Sequence, residues 1–291
     1  MMKSRQLGAA VVCAALLSWP GTARAQSPTT PNTGAQTPTD PNSGALKFTG
    51  GFDVPSVYVF RGFVQEQEPR GTGFPYGDLG IVLTSGDGFV RSTLVNVGVW
   101  NSLNTGSSGT NGPSGHLHYE EDFYARLNFL FHGNVAVGGG YMARTSPNNM
   151  FDTQKEIQLK VSKTNRINPY AFLATELTQL GQADDGPHKG TYLELGAVPS
   201  FGVSSKARLV IPAKVGLSVN DYYEFAGVDH KFGYFNVGAM LSVPLTKVPE
   251  RFGAWNVHGG AEVYLLGDAT KPSNDGKTSK PVAFVGVGLM Y

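Results

Sequence analysis

From residue 46 to residue 291, apolar and polar positions alternate with a period of two, and short polar stretches interrupt the alternation. In the segment 118–131, Phe123 and Leu127 fall on one face, whereas Glu120 and Arg126 fall on the other. Successive side chains of a β-strand point to opposite sides, so this period predicts strands. We predict about twelve, at roughly 46–63, 74–84, 88–100, 118–131, 134–145, 153–163, 168–180, 190–201, 206–218, 231–244, 254–266 and 281–291.

The connections between the predicted strands alternate in length. The connections 64–73, 101–117, 146–152, 181–189, 219–230 and 267–280 are mostly long, and those between them are mostly tight, with 245–253 as the exception. Short turns at one end and long loops at the other are typical of transmembrane barrels, whereas a sandwich has no reason to keep this order. The pattern therefore predicts an all-β chain that closes into a transmembrane antiparallel up-and-down β-barrel of about 12 strands.

The last predicted strand, 281–291, ends on an aromatic residue. Val285, Val287, Leu289 and Tyr291 share one face of it. This strand resembles the closing strand of bacterial outer-membrane β-barrels, whose final aromatic is recognised by the insertion machinery. The resemblance implies that outer-membrane lipid and the barrel-insertion machinery, which would bind through Tyr291, are partners. A soluble all-β protein that ends on a core strand is the alternative.

The composition agrees with a β-protein. Charged residues make up 15% of the chain and aromatic residues 11%, and 38 of the 291 residues are glycine. Such a balance is unlike that of a disordered chain or a helical enzyme. After residue 30, no stretch keeps an apolar period of 3.6 residues.

The N-terminus predicts a secretory signal peptide over 1–25. Lys3 and Arg5 precede an apolar stretch, and the Ala23–Ala25 triplet predicts cleavage after Ala25. The only cysteine, Cys13, lies in that apolar stretch, so we expect the mature chain to have none. Export followed by barrel formation predicts location in the bacterial outer membrane.

Residues 26–45 form a tract of Pro, Thr, Asn and Gly that cannot bury enough apolar surface to fold. We expect a disordered periplasmic lead-in there, followed by the barrel over 46–291. Removal of the signal peptide lowers the count of Lys and Arg from 23 to 20, against 22 Asp and Glu. This charge gives no reason to expect a nucleic-acid partner.

The inward faces of the predicted strands carry the only collected set of charges. Two interpretations stay open: the charges pair across strands and hold the wall, or they line a hydrated path that selects small polar solutes. The candidate lumen and selectivity residues are Asp78, Glu120, Asp122, Arg126, Arg144, Glu156, Lys160, Glu176, Glu194, Arg208, Lys214, His258 and Glu262.

Metal and catalytic motifs are weak in this sequence. His116, His118 and Glu120 share a strand face, but ligands two residues apart on one strand seldom converge, so a solvated loop end is favoured. A turn is similarly favoured over a calcium loop at 184–186. His258 has no serine in a nucleophile motif beside it. We therefore predict no cofactor, no metal and no enzymatic activity.

Several short motifs in the first half of the chain resemble one family. The segment Ser56–Gly62, followed by Gln65, is similar to the opening of the Gcw_chp family of uncharacterised predicted outer-membrane proteins, although Val57 replaces an acidic residue. Further similarities are Trp100–Ser102, Glu121–Asp122, Gly140–Tyr141 and Glu156–Ile157. The resemblance implies an outer-membrane barrel and supplies no catalytic or binding residue.

The sequence thus predicts an outer-membrane β-barrel that acts as a small passive pore for polar solutes. The alternatives are a non-conducting barrel that serves as a surface binding or structural protein through its extracellular loops, and an outer-membrane lipid enzyme. A lumen filled by other parts of the chain would favour the non-conducting barrel. A Ser–His contact at the lipid boundary would favour the enzyme.

Overall fold

Twelve antiparallel strands form one closed sheet in the computed structural model, which describes residues 42, 44–178, 188–204 and 206–291. The predicted signal peptide and most of the lead-in lie outside the described residues. The strands are β1 (Leu46–Pro55), β2 (Thr72–Ser85), β3 (Val90–Asn104), β4 (His118–Phe131), β5 (Val135–Thr145), β6 (Gln154–Lys163), β7 (Pro169–Glu176), β8 (Thr191–Ala197 and Ser200–Ser204), β9 (Ala207–Val210 and Ala213–Asn220), β10 (Phe232–Pro244), β11 (Ala254–Leu266) and β12 (Ser279–Met290).

Each strand pairs with its neighbours in sequence, and the first strand pairs with the last. In β1, Gly50 lies opposite Leu289 of β12, and the backbone of Phe48 exchanges hydrogen bonds with that of Tyr291. This pairing closes the sheet, so the barrel has no open edge. The predicted up-and-down barrel of twelve strands is confirmed.

Proline interrupts two neighbouring strands at the same level of the barrel. Pro199 divides β8 and Pro212 divides β9. Proline has no N–H to donate to the sheet ladder, which explains the two breaks. The carbonyl groups of both prolines still accept hydrogen bonds: Ile211 N donates to Pro199 O, and Gly238 N donates to Pro212 O. The wall therefore stays continuous across the breaks.

The connections alternate in length as predicted. Those at one end of the barrel, here called the long-loop end, are 56–71, 105–117, 146–153, 177–190, 221–231 and 267–278. Those at the other end, the short-turn end, are 86–89, 132–134, 164–168, 205–206 and 245–253. Both termini of the barrel lie at the short-turn end, since β1 begins there and β12 ends there.

The barrel wall is apolar outside and charged inside. On β6, Ile157 and Leu159 are 50% and 46% exposed, whereas Glu156 and Lys160 are each 2% exposed. A protein folded in water buries apolar side chains and leaves charges outside, so this distribution is the reverse of the soluble one. Within the described residues, no helix is both long and apolar enough to span a membrane.

The predicted C-terminal boundary of the first strand is wrong. The alternation suggested a strand over 46–63, but β1 stops at Pro55 and the following residues leave the wall. From Val57 to Val64 both faces are buried, so this segment lacks the one-sided pattern of a barrel strand. It lies in the interior of the barrel.

Candidate functional site

Residues 57–66, here called the plug, fold into the lumen instead of extending outward as a loop. The pairs Val59–Val64 and Phe60–Phe63 form a small hairpin. Arg61 and Gly62 at its tip have φ angles of 45° and 90°. A two-residue hairpin turn of type I′ requires positive φ at both central residues. Every plug residue except the half-buried Gln65 is buried.

Arg61, at the tip of the plug, forms a bidentate ion pair with β6. Its two terminal nitrogens lie 2.8 Å and 2.9 Å from the carboxylate oxygens of Glu156. Arg61 Nη1 also lies 2.6 Å from Tyr222 Oη, and its guanidinium lies 4.4 Å from the ring centre of Tyr192. Burial acts to lower the pKa of Arg61, but Glu156, Tyr222 and Tyr192 together outweigh burial and raise this pKa. The plug therefore carries a fixed positive charge into the lumen.

A second arginine extends this ion pair along the wall. Arg144 Nη1 lies 2.9 Å from Glu156 Oε1, and Arg144 Nε lies 3.5 Å from Asp122 Oδ2 and 3.9 Å from Glu120 Oε1. Two guanidinium groups thus lie among three carboxylates. Such a network offsets the cost of burying charge only when its members are paired with good geometry.

Aromatic side chains pack the plug against the opposite part of the wall. Tyr58 is fully buried, donates a hydrogen bond to Glu120 Oε2 at 2.8 Å, and lies 5.6 Å from the ring of Trp100. Phe63 stacks on Tyr223 at 5.8 Å. Burial raises the pKa of Tyr58, which keeps its hydroxyl protonated as a donor.

A group of tyrosines surrounds Glu194 beside the plug. The carboxylate of Glu194 accepts hydrogen bonds from Tyr170 and Tyr192 at 2.7 Å and from Tyr234 at 2.8 Å. Lys214 Nζ lies 3.9 Å from the same carboxylate. Three phenol donors and a cation can hold a buried carboxylate in its charged form.

Polar contacts continue from the plug toward the short-turn end. Asp78 accepts hydrogen bonds from Asn96 at 2.5 Å and Tyr124 at 2.8 Å. On another part of the wall, His258 Nε2 lies 2.9 Å from Asp53 Oδ1. At both places, inward side chains contact one another across strands.

All thirteen predicted lumen residues lie on the inward face. Eleven of them are buried, and Asp78 and Arg208 are half-buried. Glu120, Asp122, Arg144 and Glu156 belong to the network around the plug. Glu194 and Lys214 belong to the tyrosine group. Two other cations lie over aromatic rings, Arg126 over Tyr124 and Lys160 over Tyr170. Glu176 accepts a hydrogen bond from Gly190 N, Glu262 accepts one from Tyr264, and Arg208 donates one to Ser200 near the short-turn end.

The residues that fill the lumen, above all Tyr58 and Arg61, were not predicted from the sequence. One signal could have found Arg61. Arg61 is the single cation inside the apolar run Val57–Val64. If such a run is buried, its cation needs a buried partner of opposite charge.

The two histidines weighed as metal ligands contact different groups. His118 Nε2 lies 2.9 Å from Asn101 Oδ1, and His116 is exposed. Glu120 accepts from Tyr58 inside the barrel. Among the described residues, the His, Asp and Glu side chains that converge are instead His188, Asp221 and Glu224 at the long-loop end. The candidate calcium loop at 184–186 lies outside the described residues.

The comparisons with known proteins find outer-membrane barrels among the solved structures. No family model matches the chain, and the comparison with curated proteins gives no significant match. Among solved structures, the translocator domain of the autotransporter NalP from Neisseria meningitidis shares 13% identity over 86% of this chain and 90% of that one, with a TM-score of 0.44. The NanC porin shares 12% identity over 84% of this chain and 99% of that one, with a TM-score of 0.42.

A third solved structure is an enzyme. The outer membrane phospholipase OMPLA from Salmonella typhi shares 14% identity over 90% of this chain and 93% of that one, with a TM-score of 0.43. At these scores the similarities identify neither the family nor the function. The chain's own geometry defines its class: a closed β-barrel with an even strand number, alternating loop lengths and an apolar exterior, features that transmembrane barrels share.

Proposed function

We propose that this chain is a bacterial outer-membrane β-barrel that is held shut by its plug and acts as a structural or surface-binding protein. The membrane location is supported by the apolar outer surface and by the closed sheet. In lipid every backbone polar group needs a partner within the protein, and a closed barrel supplies one.

The plug is the observation that carries the proposal. It reaches from one side of the lumen to the other, because Tyr58 contacts Trp100 of β3 and Glu120 of β4, while Arg61 contacts Glu156 of β6 and Tyr192 of β8. A passive pore needs a continuous hydrated path through the lumen. The buried aromatic rings and ion pairs of the plug occupy that path at the long-loop half of the barrel.

The plug is also tied to the neighbouring loops. Glu66 accepts hydrogen bonds from Ser108 N at 2.9 Å and from Ser108 Oγ at 2.6 Å, in the connection between β3 and β4. Val64 N donates to Ser273 Oγ at 2.9 Å, in the connection between β11 and β12. Displacing the plug would break these contacts as well as the Arg61 ion pair. This anchoring supports a lumen that stays closed at rest, with the tied loops forming an ordered outer surface.

Conductance in a planar lipid bilayer tests the proposal. We expect the mature chain to insert without discrete current steps. A variant with residues 57–66 replaced by a short Gly-Ser linker should produce steps, because the barrel of twelve strands is wider than one that side chains alone fill. Lys231→Met is the matched control, since it removes an exposed loop cation outside the lumen.

Steady current steps from the intact chain, equal to those of the plug-deleted variant, would contradict the closed lumen. The passive pore predicted from the sequence would then be the better function, with the inward charges as its selectivity residues. If neither form conducts although both insert and fold, the barrel is closed by more than the plug, and the structural or surface-binding role is retained. Heat-modifiable migration in gels checks that each variant is folded.

A further inference from the structure

A mixed group of metal-binding side chains lies at the long-loop end, outside the lumen network. His188, Asp221 and Glu224 each offer one ligand atom, and these atoms all lie within 4.8 Å of one another. His188 belongs to the connection before β8, whereas Asp221 and Glu224 belong to the connection after β9. We propose that these three residues bind a divalent transition-metal cation that bridges the two loops.

The backbone on both sides of the group is held by the sheet. Asp221 directly follows Asn220, the last residue of β9, and Glu224 begins the two-residue ladder in which it pairs with Asp229. His188 lies three positions before Thr191, where β8 begins. Two neighbouring strands and this small ladder thus position the three side chains, which lowers the entropic cost of bringing them together on a cation.

The imidazole and one carboxylate already face each other. His188 Nδ1 lies 2.8 Å from Glu224 Oε1, and His188 N donates to Glu224 Oε2 at 3.4 Å. Two ligands of a tetrahedral zinc ion at about 2.0–2.1 Å from the metal lie a little over 3 Å apart. A small side-chain rotation would therefore let a cation take the place of the shared proton.

A neighbouring side chain orients Asp221, the third ligand. Asn220 Nδ2 donates to Asp221 Oδ2 at 2.7 Å. Hydrogen bonds to a ligating carboxylate orient it and are part of natural metal sites. The group also offers two carboxylates beside the imidazole, so its charge suits a dication.

The donor set favours a transition metal over calcium or magnesium. Ca²⁺ takes six to eight oxygen ligands, and Mg²⁺ prefers oxygen ligands in an octahedron, whereas an imidazole nitrogen suits zinc and its neighbours. The His188 side chain is 63% exposed, which leaves room for water to complete the coordination. Zn²⁺ is accordingly the probe of choice.

The test is calorimetric titration of the folded mature chain, prepared in detergent without a histidine tag, with Zn²⁺ and with Ca²⁺. We expect binding of one Zn²⁺ per chain and no comparable binding of Ca²⁺. His188→Ala should weaken Zn²⁺ binding by at least about tenfold, and Asp221→Asn and Glu224→Gln should each weaken it too. His116→Ala, which removes another exposed imidazole in a long loop, should leave the affinity unchanged.

The proposal is overturned if the intact chain binds no Zn²⁺ at micromolar concentration, or if His188→Ala binds Zn²⁺ as tightly as the intact chain. An equal loss in His116→Ala would also overturn it, because the bound ion would then lie elsewhere. None of these results depends on whether the lumen conducts, so the closed barrel and the metal site can fail separately.

Discussion

Arg61 is the residue whose loss should weaken the plug most, because it is the only plug side chain described here that carries a positive charge into the network. Arg61→Met keeps much of the side-chain volume and removes the bidentate pair with Glu156. Glu156 would keep Arg144 as a partner. Breaking one side of a buried pair costs about 3 kcal/mol at the lower end of the usual range.

Urea unfolding of the refolded barrel in lipid vesicles measures this change. We expect the midpoint to fall clearly for Arg61→Met, with little change for Lys231→Met. Lys231 pairs with Asp229 at the surface, where its side chain is 66% exposed and an ion pair contributes little. Equal midpoints for Arg61→Met and the intact chain would show that the plug does not depend on this ion pair.

Two buried tyrosines allow a hydrogen bond to a charged group to be compared with one to a neutral group. Tyr58 donates to the carboxylate of Glu120 at 2.8 Å, and Tyr119 donates to the amide oxygen of Gln65 at 2.9 Å. Hydrogen bonds to charged groups contribute about 1.5–3 kcal/mol, and neutral ones about 0.5–1.5 kcal/mol. Tyr58→Phe should therefore lower the free energy of unfolding more than Tyr119→Phe. The opposite order would mean that Glu120 is satisfied by Arg144 without Tyr58.

At the scale of single strands, the period-two pattern was enough to predict twelve strands, because a barrel wall separates lipid-facing from lumen-facing positions. The plug was not predictable in this way. Apart from Arg61, Val57 to Phe63 has no charged residue on either face, and only Ser56 separates it from β1, so it was included in the first strand. Its position depends on partners such as Glu156, 95 residues away in sequence.

The same limit applies to the contacts between inward residues. Alternation placed Glu194 and Lys214 on the inner face, and both residues are buried in the structure. Alternation cannot specify which wall residue lies beside which, since that depends on the strand register. The Gcw_chp resemblance stays a prediction. Its opening motif, Ser56–Gly62, lies almost entirely within the plug and forms no part of a wall strand.

Glycines on the inner face of the wall make room for tyrosines on the paired strand. A Cβ atom at Gly98 would lie 2.3 Å from the ring of Tyr124, its cross-strand partner. The same arrangement recurs in the pairs Gly51–Tyr76, Gly196–Tyr170 and Gly216–Tyr234. Tyrosine rings covering glycines are therefore a repeated element of this wall, as in other curved sheets.

Gly98→Ala tests this element of the wall. The added methyl group should displace Tyr124 from its hydrogen bond with Asp78 and destabilise the barrel by about 1–3 kcal/mol, the usual cost of overpacking. Gly202→Ala is the matched control in a strand, because nothing lies within 4 Å of its added Cβ. Thermal unfolding followed by gel mobility compares the two. A Gly98→Ala barrel as stable as the Gly202→Ala barrel would contradict the packing argument.

At the scale of the whole molecule, the two ends of the barrel predict its orientation. Long loops of transmembrane barrels face the exterior and short turns face the periplasm. The only cysteine of the chain, Cys13, lies in the predicted signal peptide, so the mature chain should be free of thiols. A single introduced cysteine would then report the location of one end without background from others.

His116→Cys places a thiol at the long-loop end, and Gly86→Cys places one at the short-turn end, where the added side chain meets no neighbour within 4 Å. In intact bacterial cells, a membrane-impermeant maleimide should label His116→Cys and leave Gly86→Cys unlabelled until the cells are lysed. The unmodified chain, as the control, should not be labelled in either case if the signal peptide is removed. Labelling of Gly86→Cys alone in intact cells would show that the barrel has the opposite orientation. The tied loops and the metal group would then face the periplasm, and a surface-binding role would have to be sought at the short turns.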